Sequence, residues 1–350
     1  MDRNESIVAK GFLVKYNLML SPFPRWFIIF TLGFCGFIKS IRRILALLSF
    51  SSSMEPRSQV FDIIRYGIYV AILLSRCVIV TFGLDWKAFA AYIEQLSRLE
   101  LEKDVESVKQ IKRERKLKNW FCFVSLLSYM MIMLTSPVNR RRSGIDLICE
   151  TFVDLILLIA HFSLVHLIID LCICLNVAFQ YVNHHLANFQ INSADPMLSE
   201  LRSNRLFYSC TIRASQEAEK FARHFIAWFY CQFILFNIVN IVDILGPNVE
   251  TGVTYGLFMV LDIINLAYLT VKLVAVNKAS TQGMEDLYEI SYGLKSYSLQ
   301  NENNLFLNRM LWQNVGFTFS DLFLINPNFI TSLLSFVLTI ALMIANFLYK

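Results

Sequence analysis

Charged residues are scarce in this sequence of 350 residues, of which Asp, Glu, Lys and Arg together make up 17%. Soluble domains usually carry about 25% of these residues. Hydrophobic residues reach 56%, and the mean hydropathy is +0.50. Several apolar runs are close to twenty residues long, which is the length that an α-helix needs to cross a bilayer. The composition therefore excludes an ordinary soluble domain and predicts an all-α, polytopic membrane protein.

The sequence also lacks the motifs of the common enzyme classes, because no HExxH, GxSxG, P-loop or GxGxxG segment occurs. Its five histidines do not form the HxxxH and HxxHH boxes of membrane di-iron enzymes. Its eight cysteines are scattered and include no CxxC pair, so they predict neither a metal centre nor a disulfide framework. We therefore expect no enzymatic activity, no cofactor and no bound metal.

The apolar residues are gathered into seven segments of a single membrane domain, residues 1–350. The predicted spans are approximately 26–50, 60–82, 119–138, 145–179, 220–245, 253–276 and 311–349. The polar segments between them predict cytosolic helical extensions at 83–118, 180–219 and 277–310. The basic run KQIKRERKLK in the first of these extensions adjoins a span, where lysine and arginine are common, so we expect no nucleic-acid partner.

The last predicted span is broken near Asn326-Pro327. Proline cannot donate a backbone hydrogen bond, and it disfavours the helical conformation at the residue before it. After this break, Phe329 to Leu348 carries no charge, and a helix of that length is about 30 Å long. The pattern predicts two helical segments, the second of which crosses the membrane.

Lysine and arginine are distributed unevenly among the connections. With the N-terminus in the cytosol, the cytosolic segments hold nineteen of them, whereas the external segments and the C-terminus hold five. An excess of lysine and arginine marks the cytosolic side. We therefore expect a cytosolic N-terminus and an extracellular C-terminus, which is the reverse of a G-protein-coupled receptor.

Seven spans, this orientation, long cytosolic helices and a broken last helix together resemble the insect gustatory and odorant receptor superfamily. Gustatory receptors end with a glycine, an acidic residue, an apolar stretch, then Thr-Tyr, five apolar residues and Gln-Phe. The residues that match this motif are Gly316, Asp321 and Thr331. The motif is divergent, because other residues stand where it has Tyr, Gln and Phe, namely Ser332, Leu338 and Thr339.

The resemblance implies a gustatory receptor of an insect plasma membrane, a ligand-gated cation channel that acts in taste and sensory transduction. Its implied partners are a small-molecule tastant or other chemical ligand, membrane lipid, and related receptors in a homo- or hetero-tetramer. The last helix of such receptors lines the pore, which corresponds to Ser335 and Leu338 here. Leu338 replaces a polar glutamine, so a pore ringed by it would gate by dewetting or would not conduct.

Three alternatives remain open at this point. The chain could be a non-conducting subunit of a heteromeric receptor, because its motif is divergent. It could be a G-protein-coupled receptor, which the orientation opposes. It could also be a secondary transporter, which a broken helix suits, although the sequence shows no internal repeat.

The fourth predicted span carries ionisable residues on one helical face. Glu150 and Asp154 are four residues apart, and His161 follows seven residues later. Ionisable residues at membrane depth are rare and are functional hypotheses by default. By the resemblance, the ligand pocket lies in the outer half of the helix bundle. We therefore take these three residues as candidate ligand contacts.

Structural ion pairing is the other explanation for ionisable residues in the spans. Arg65 lies at the same outer depth as Glu150 and Asp154, and Arg76 lies at the same inner depth as Asp170. These residues are candidate partners in ion pairs, in which opposite charges neutralise each other inside the membrane.

Overall fold

The structure is a computed structural model, and it describes residues 26, 30–48, 56–135, 145–189, 194–245, 249–311, 315–325 and 327–349. Nearly all of these residues are helical, which confirms the predicted all-α class. The helices of the described residues are α1 (Gly36–Leu48), α2 (Pro56–Val78), α3 (Trp86–Ser97), α4 (Val105–Thr135), α5 (Ile145–Ala187), α6 (Ala194–Ile244), α7 (Val249–Gln282), α8 (Met284–Gly293), α9 (Tyr297–Leu311) and α10 (Pro327–Tyr349).

Shorter elements connect or extend these helices. A π-helical turn, Thr31–Cys35, leads into α1, and a second one, Ile79–Gly83, follows α2. A 3₁₀ turn, Leu101–Lys103, precedes α4. Two short antiparallel strands, β1 (Thr318–Phe319) and β2 (Phe323–Leu324), stand between α9 and α10.

Five helical stretches within the described residues are long and apolar enough to cross a membrane. They are Ile63–Gly83, Val105–Thr135, Thr151–Ala187, Met197–Val242 and Gly252–Gly293, and a shorter apolar helix covers Thr331–Asn346. The chain is therefore a multi-pass membrane protein. The total of seven spans, their boundaries and the cytosolic N-terminus stay predictions.

The long helices exceed the thickness of a bilayer. α5 has 43 residues and α6 has 51, so at a rise of about 1.5 Å per residue both are longer than the roughly 30 Å of hydrocarbon. α6 lies at the centre of the molecule and contacts α2, α3, α5, α7, α9 and α10. Its Phe221 packs against Trp86 and Phe89 of α3, with ring centroids 5.3 and 5.0 Å apart. The core is thus organised around α6.

The segment before α10 differs from the prediction of a helix on both sides of the break. It contains the β1–β2 hairpin, and the backbone φ angle is positive at Gly316, Ser320 and Asp321. A right-handed helix cannot pass through such residues. Pro327 occupies the first position of α10, where its missing N–H costs nothing. Asn326 itself lies outside the described residues.

Candidate functional site

The acidic face predicted on the fourth span is partly occupied by an ion pair. Asp154 of α5 pairs with Lys39 of α1, and both side chains are about a quarter exposed. Pairing removes much of the cost of placing either charge in hydrocarbon. The partner of Asp154 is thus a cation of the first helix, whereas Arg65 lies half-buried on α2. The side chain of Glu150 lies outside the described residues.

His161 lies among aromatic side chains where α5 meets α6. Its ring stacks on Phe229 with centroids 5.7 Å apart, and it also contacts Phe225 and Trp228 at 6.2 and 6.0 Å. Its Nδ1 atom is buried and, among the described residues, has no hydrogen-bond partner. A buried polar atom without a partner is costly, so this nitrogen is a candidate contact for a ligand group.

Arg76 of α2 borders the same aromatic cluster. Its guanidinium lies 5.0 Å from the centre of the Trp228 ring, and its Nη2 donates to Gln232 Oε1 at 3.1 Å. The indole Nε1 of Trp228 donates to Ser75 Oγ at 2.9 Å. The cation is therefore stabilised by a ring face and an amide oxygen.

Asp170, which the sequence placed at the depth of Arg76, is instead held by two cations of α4. Arg115 donates from Nε and Nη2 to the two carboxylate oxygens at 3.0 and 2.9 Å, and Lys118 donates to Oδ1. Arg115 and Lys118 are three residues apart, so both lie on the face of α4 that packs on α5. A neighbouring contact joins His166 Nε2 and Asn119 Oδ1 at 2.8 Å.

A second polar cluster, which the sequence analysis did not identify as a site, joins α4, α6 and α7. The hydroxyl of Tyr129 donates to Asp262 Oδ1, and Asn237 lies against the same carboxylate. The Tyr129 ring contacts Phe162 and Phe258, with centroids 5.5 and 6.0 Å apart. The only signal for it in the sequence is an aspartate within an apolar span, since the positions of its partners depend on tertiary packing.

Unsatisfied amides extend this cluster along α6. Within the described residues, Oδ1 of Asn237 and both amide atoms of Asn240 are buried without a hydrogen-bond partner. Buried polar groups normally have partners, so such atoms need an explanation. A ligand or water with complementary donors and acceptors would supply one.

α10 contacts the rest of the bundle through one narrow apolar face. Leu333, Val337, Ala341 and Ala345 are buried and recur every four residues. Phe329 at the start of the helix packs edge-on against Tyr230 of α6, with ring centroids 4.9 Å apart. These contacts fix which side of α10 faces the bundle and which side faces away.

The opposite face of α10 carries a line of exposed polar residues, which we call the polar stripe. It consists of Asn328, Ser332, Ser335, Thr339 and Asn346, whose spacings of three, four and seven residues place them above one another. The hydroxyl of Thr339 donates to the backbone oxygen of Ser335 at 2.8 Å. Such a face is poorly suited to contact with lipid tails, so it indicates water or another protein surface.

Two leucines belong to this outward side of α10. Leu342 continues the line of the polar stripe between Thr339 and Asn346, and it is 49% exposed. Leu338, predicted to lie in a pore, stands at one edge of the stripe and is 51% exposed, and Ser335 lies within the stripe.

The hairpin before α10 is tied to α6 by an ionic network. Arg223 donates to both oxygens of Glu219 and also pairs with Asp321. Thr318 donates from Oγ1 to Glu219 Oε1 at 2.6 Å and accepts from the backbone N–H of Asp321 at 3.1 Å. The acidic residue that carries part of the family resemblance therefore anchors the segment leading into α10.

Gly316 has a structural reason for being glycine. Its φ angle is +141°, a conformation that side chains rarely adopt, and a Cβ atom there would lie 3.2 Å from Cβ of Asn277. Asn277 also donates from Nδ2 to the backbone oxygen of Val315 at 2.6 Å. The glycine thus allows the hairpin to approach α7 closely.

The described residues include no cluster of side chains suited to bind a metal ion. Among them, no group of three or more His, Cys, Asp or Glu side chains lies close enough together to hold an ion. The chemistry available at these clusters is hydrogen bonding, ion pairing and aromatic contact.

No protein-family model matches the sequence, and no curated protein sequence matches it. Several solved structures do match the fold of this chain. The insect olfactory receptor OR5 from Machilis hrabei in complex with eugenol matches with a TM-score of 0.66 and 13% identity, covering 90% of this chain and 87% of that chain. A second structure of OR5 from Machilis hrabei matches with a TM-score of 0.57 and 11% identity, covering 98% of this chain and 90% of that chain. At such identities the likeness shows a shared fold.

Proposed function

We propose that this chain is a chemosensory receptor of the insect gustatory and odorant superfamily, acting as a ligand-gated cation channel or as a subunit of one. It lies in the plasma membrane with seven spans and a cytosolic N-terminus. The likeness to OR5 over 90% of the chain supports the superfamily. Gly316, Asp321 and Thr331, which match the gustatory motif, support a gustatory rather than an olfactory member.

The polar stripe of α10 is the observation that carries the channel proposal. Its hydroxyls and amides lie on the side of α10 that the described residues leave exposed. Association of several chains around an axis, with four as the expected number, would turn this side toward a shared aqueous path. Ser335 and Thr339 then line the pore, and the rings formed by Leu338 and Leu342 narrow it and gate it by dewetting.

The proposed ligand is a small organic molecule. OR5 was solved with eugenol, which combines an aromatic ring with a hydroxyl group. The aromatic side chains around His161 and the hydroxyl–carboxylate pair of Tyr129 and Asp262 suit a molecule of this kind. Asp154 is less suited to contact a ligand, because Lys39 already pairs with it.

The experiment that tests this proposal is a whole-cell current recording from cells that express the chain alone, with surface delivery confirmed by an extracellular C-terminal tag. The panel contains sugars, bitter compounds, fatty acids and eugenol. We expect a cation current in response to at least one compound. Leu338→Gln, which restores the polar residue of the family motif, should change the ion permeability of that current.

Silence of both proteins at the cell surface, alone and together with related receptors, would contradict the channel proposal. A current that appears only when a related receptor is co-expressed, and that is insensitive to Leu338→Gln, would identify the chain as a non-conducting subunit. Labelling of the C-terminal tag only after permeabilisation, in cells whose purified plasma-membrane fraction contains the chain, would contradict the proposed orientation.

A further inference from the structure

The first half of α4 carries a row of cations on a single face. Lys109, Lys112, Arg113 and Lys116 are separated by spacings of three, one and three residues, which places them side by side along the helix. All four are exposed, and within the described residues none of them forms an ion pair with an acidic side chain. They therefore present unneutralised positive charge to whatever lies beside α4.

Other cations of the same helix behave differently. Arg115 and Lys118 point toward α5, where they pair with Asp170. The acidic Glu114 pairs with Lys272 of α7. The fold thus uses the inward charges of α4 for packing, and the outward cations have no acidic partner in the part of the chain that the structure describes.

The same outward face becomes apolar immediately after its last cation. Trp120 and Phe123 are about 60% exposed, and Leu127 and Met131 follow on the same side with about half of their surface exposed. Trp120 lies one turn, about 6 Å, beyond Lys116. The order along the face is cation, indole and aliphatic side chain, which matches the order of phosphate layer, interface and hydrocarbon in a bilayer.

A groove of about 620 Å³ lies at this transition. Lys112, Arg115, Lys116, Asn119 and Trp120 contribute to its lining. The Arg115 guanidinium is held by Asp170, and the Asn119 amide contacts His166. These two side chains of the groove are therefore already held in position. Glu102 adds one carboxylate to the lining, which leaves an excess of positive charge among the groove side chains.

We propose that this groove binds the headgroup of an anionic phospholipid, with the phosphate groups on Lys112 and Lys116 and the glycerol region against Trp120. By the positive-inside rule the lipid belongs to the cytosolic leaflet. The continuity of the basic face with an exposed apolar face favours a lipid over a soluble phosphate, because a soluble headgroup uses only the lysines. This site is separate from the pocket and pore of the proposed function, and its test does not depend on a current.

The test measures binding of a fluorescent short-chain phosphatidylinositol 4,5-bisphosphate to the purified full-length chain in a neutral detergent, followed by fluorescence anisotropy. Lys112→Gln/Lys116→Gln removes two cations, each contributing about 1 kcal/mol near a phosphate, so we expect binding about 10- to 30-fold weaker. Lys278→Gln/Lys295→Gln removes the same charge from two other exposed lysines and should leave binding within about 2-fold.

Two further arms complete the test: the first separates lipid from soluble phosphate, and the second controls for misfolding. Trp120→Ala should weaken binding of the lipid and leave binding of inositol 1,4,5-trisphosphate unchanged. Lys112→Arg/Lys116→Arg keeps the charge and should bind like the parent chain, which shows that the Gln variant loses binding through charge and not through misfolding.

Several outcomes would overturn the proposal. Equal loss in the Lys278→Gln/Lys295→Gln control would mean a diffuse charge effect without a site. Equal affinity of the Lys112→Gln/Lys116→Gln variant and the parent chain would exclude the groove. Inositol trisphosphate that binds as tightly as the lipid, with the same dependence on Lys112 and Lys116, would identify a soluble phosphate as the ligand.

Discussion

Asp170 and Asp262 are both carboxylates between helices of the bundle, and the fold compensates them differently. Asp170 is held by the cations Arg115 and Lys118. Asp262 faces the Tyr129 hydroxyl and an asparagine, and among the described residues it has no cation beside it. A buried carboxylate that is paired with cations cannot readily exchange them for a ligand, since removing one partner of a buried ion pair is costly. Hydrogen bonds can be exchanged with a ligand at lower cost, so we assign a structural role to the Asp170 cluster and a binding role to the Asp262 cluster.

The largest expected effect is that of Asp170→Asn. The amide removes the carboxylate charge that pairs with the buried cations Arg115 and Lys118, which costs about 3–5 kcal/mol. We expect loss of the folded protein, measured by size-exclusion chromatography of a fluorescent fusion in detergent. A monodisperse Asn variant with the parent's thermal stability would remove the structural role from this cluster.

Tyr129→Phe should have the next largest effect. It removes the hydroxyl that donates to Asp262 and leaves a carboxylate with fewer donors, at a cost of about 1–3 kcal/mol. We expect a folded protein with a lower thermal midpoint and a weaker ligand response. Because the ring and its contacts with Phe162 and Phe258 remain, an unchanged response would exclude the hydroxyl from ligand binding.

Lys118→Met tests how far the Asp170 cluster depends on each cation. Methionine keeps much of the buried volume, and Arg115 still neutralises Asp170, so we expect a cost of about 1–2 kcal/mol. We therefore expect a folded protein whose thermal midpoint is lower than that of the parent. A loss as large as that of Asp170→Asn would show that the carboxylate needs both cations.

Asp262→Asn should have the smallest effect on stability. Tyr129 can still donate to the amide oxygen, so we expect a change within about 1 kcal/mol. The ligand concentration for half-maximal response should nevertheless shift, and dose–response curves of parent and variant measure it. A large loss of stability with normal ligand response would reverse the roles of the two clusters.

Much of the architecture follows from composition and local chemistry. The scarcity of charge and the apolar runs predict an all-α membrane protein, and Pro327 predicts a helix boundary where α10 begins. The apolar run before Pro327 was less informative, because a short run of this kind does not distinguish a helix from strands. Positive φ angles at Ser320 and Asp321, with β1 and β2 around them, became visible only in the fold.

The interaction partners of the site residues could not be predicted from the sequence either. Spacing placed Asp170 at the depth of Arg76, but which helix supplies its cations depends on how α4 packs against α5. The pairing of Asp154 with Lys39 likewise joins helices far apart in sequence. Periodicity therefore identified which positions share a helical face, and tertiary packing decided which partners those faces meet.

The central claim is that the polar stripe of α10 faces water in the assembled protein. The most direct test uses variants that each add one cysteine to the parent chain, and it measures their labelling in proteoliposomes by a charged, membrane-impermeant thiol reagent. The labelling of the native cysteines in the parent chain is subtracted as background. Ser335→Cys and Thr339→Cys lie in the stripe, whereas Phe336→Cys and Met343→Cys lie on its flank, where the native side chains are also exposed. We predict rapid labelling of the first pair and at least about 10-fold slower labelling of the second, because lipid excludes the charged reagent. Equal labelling of all four positions, or protection of the stripe, would contradict the claim.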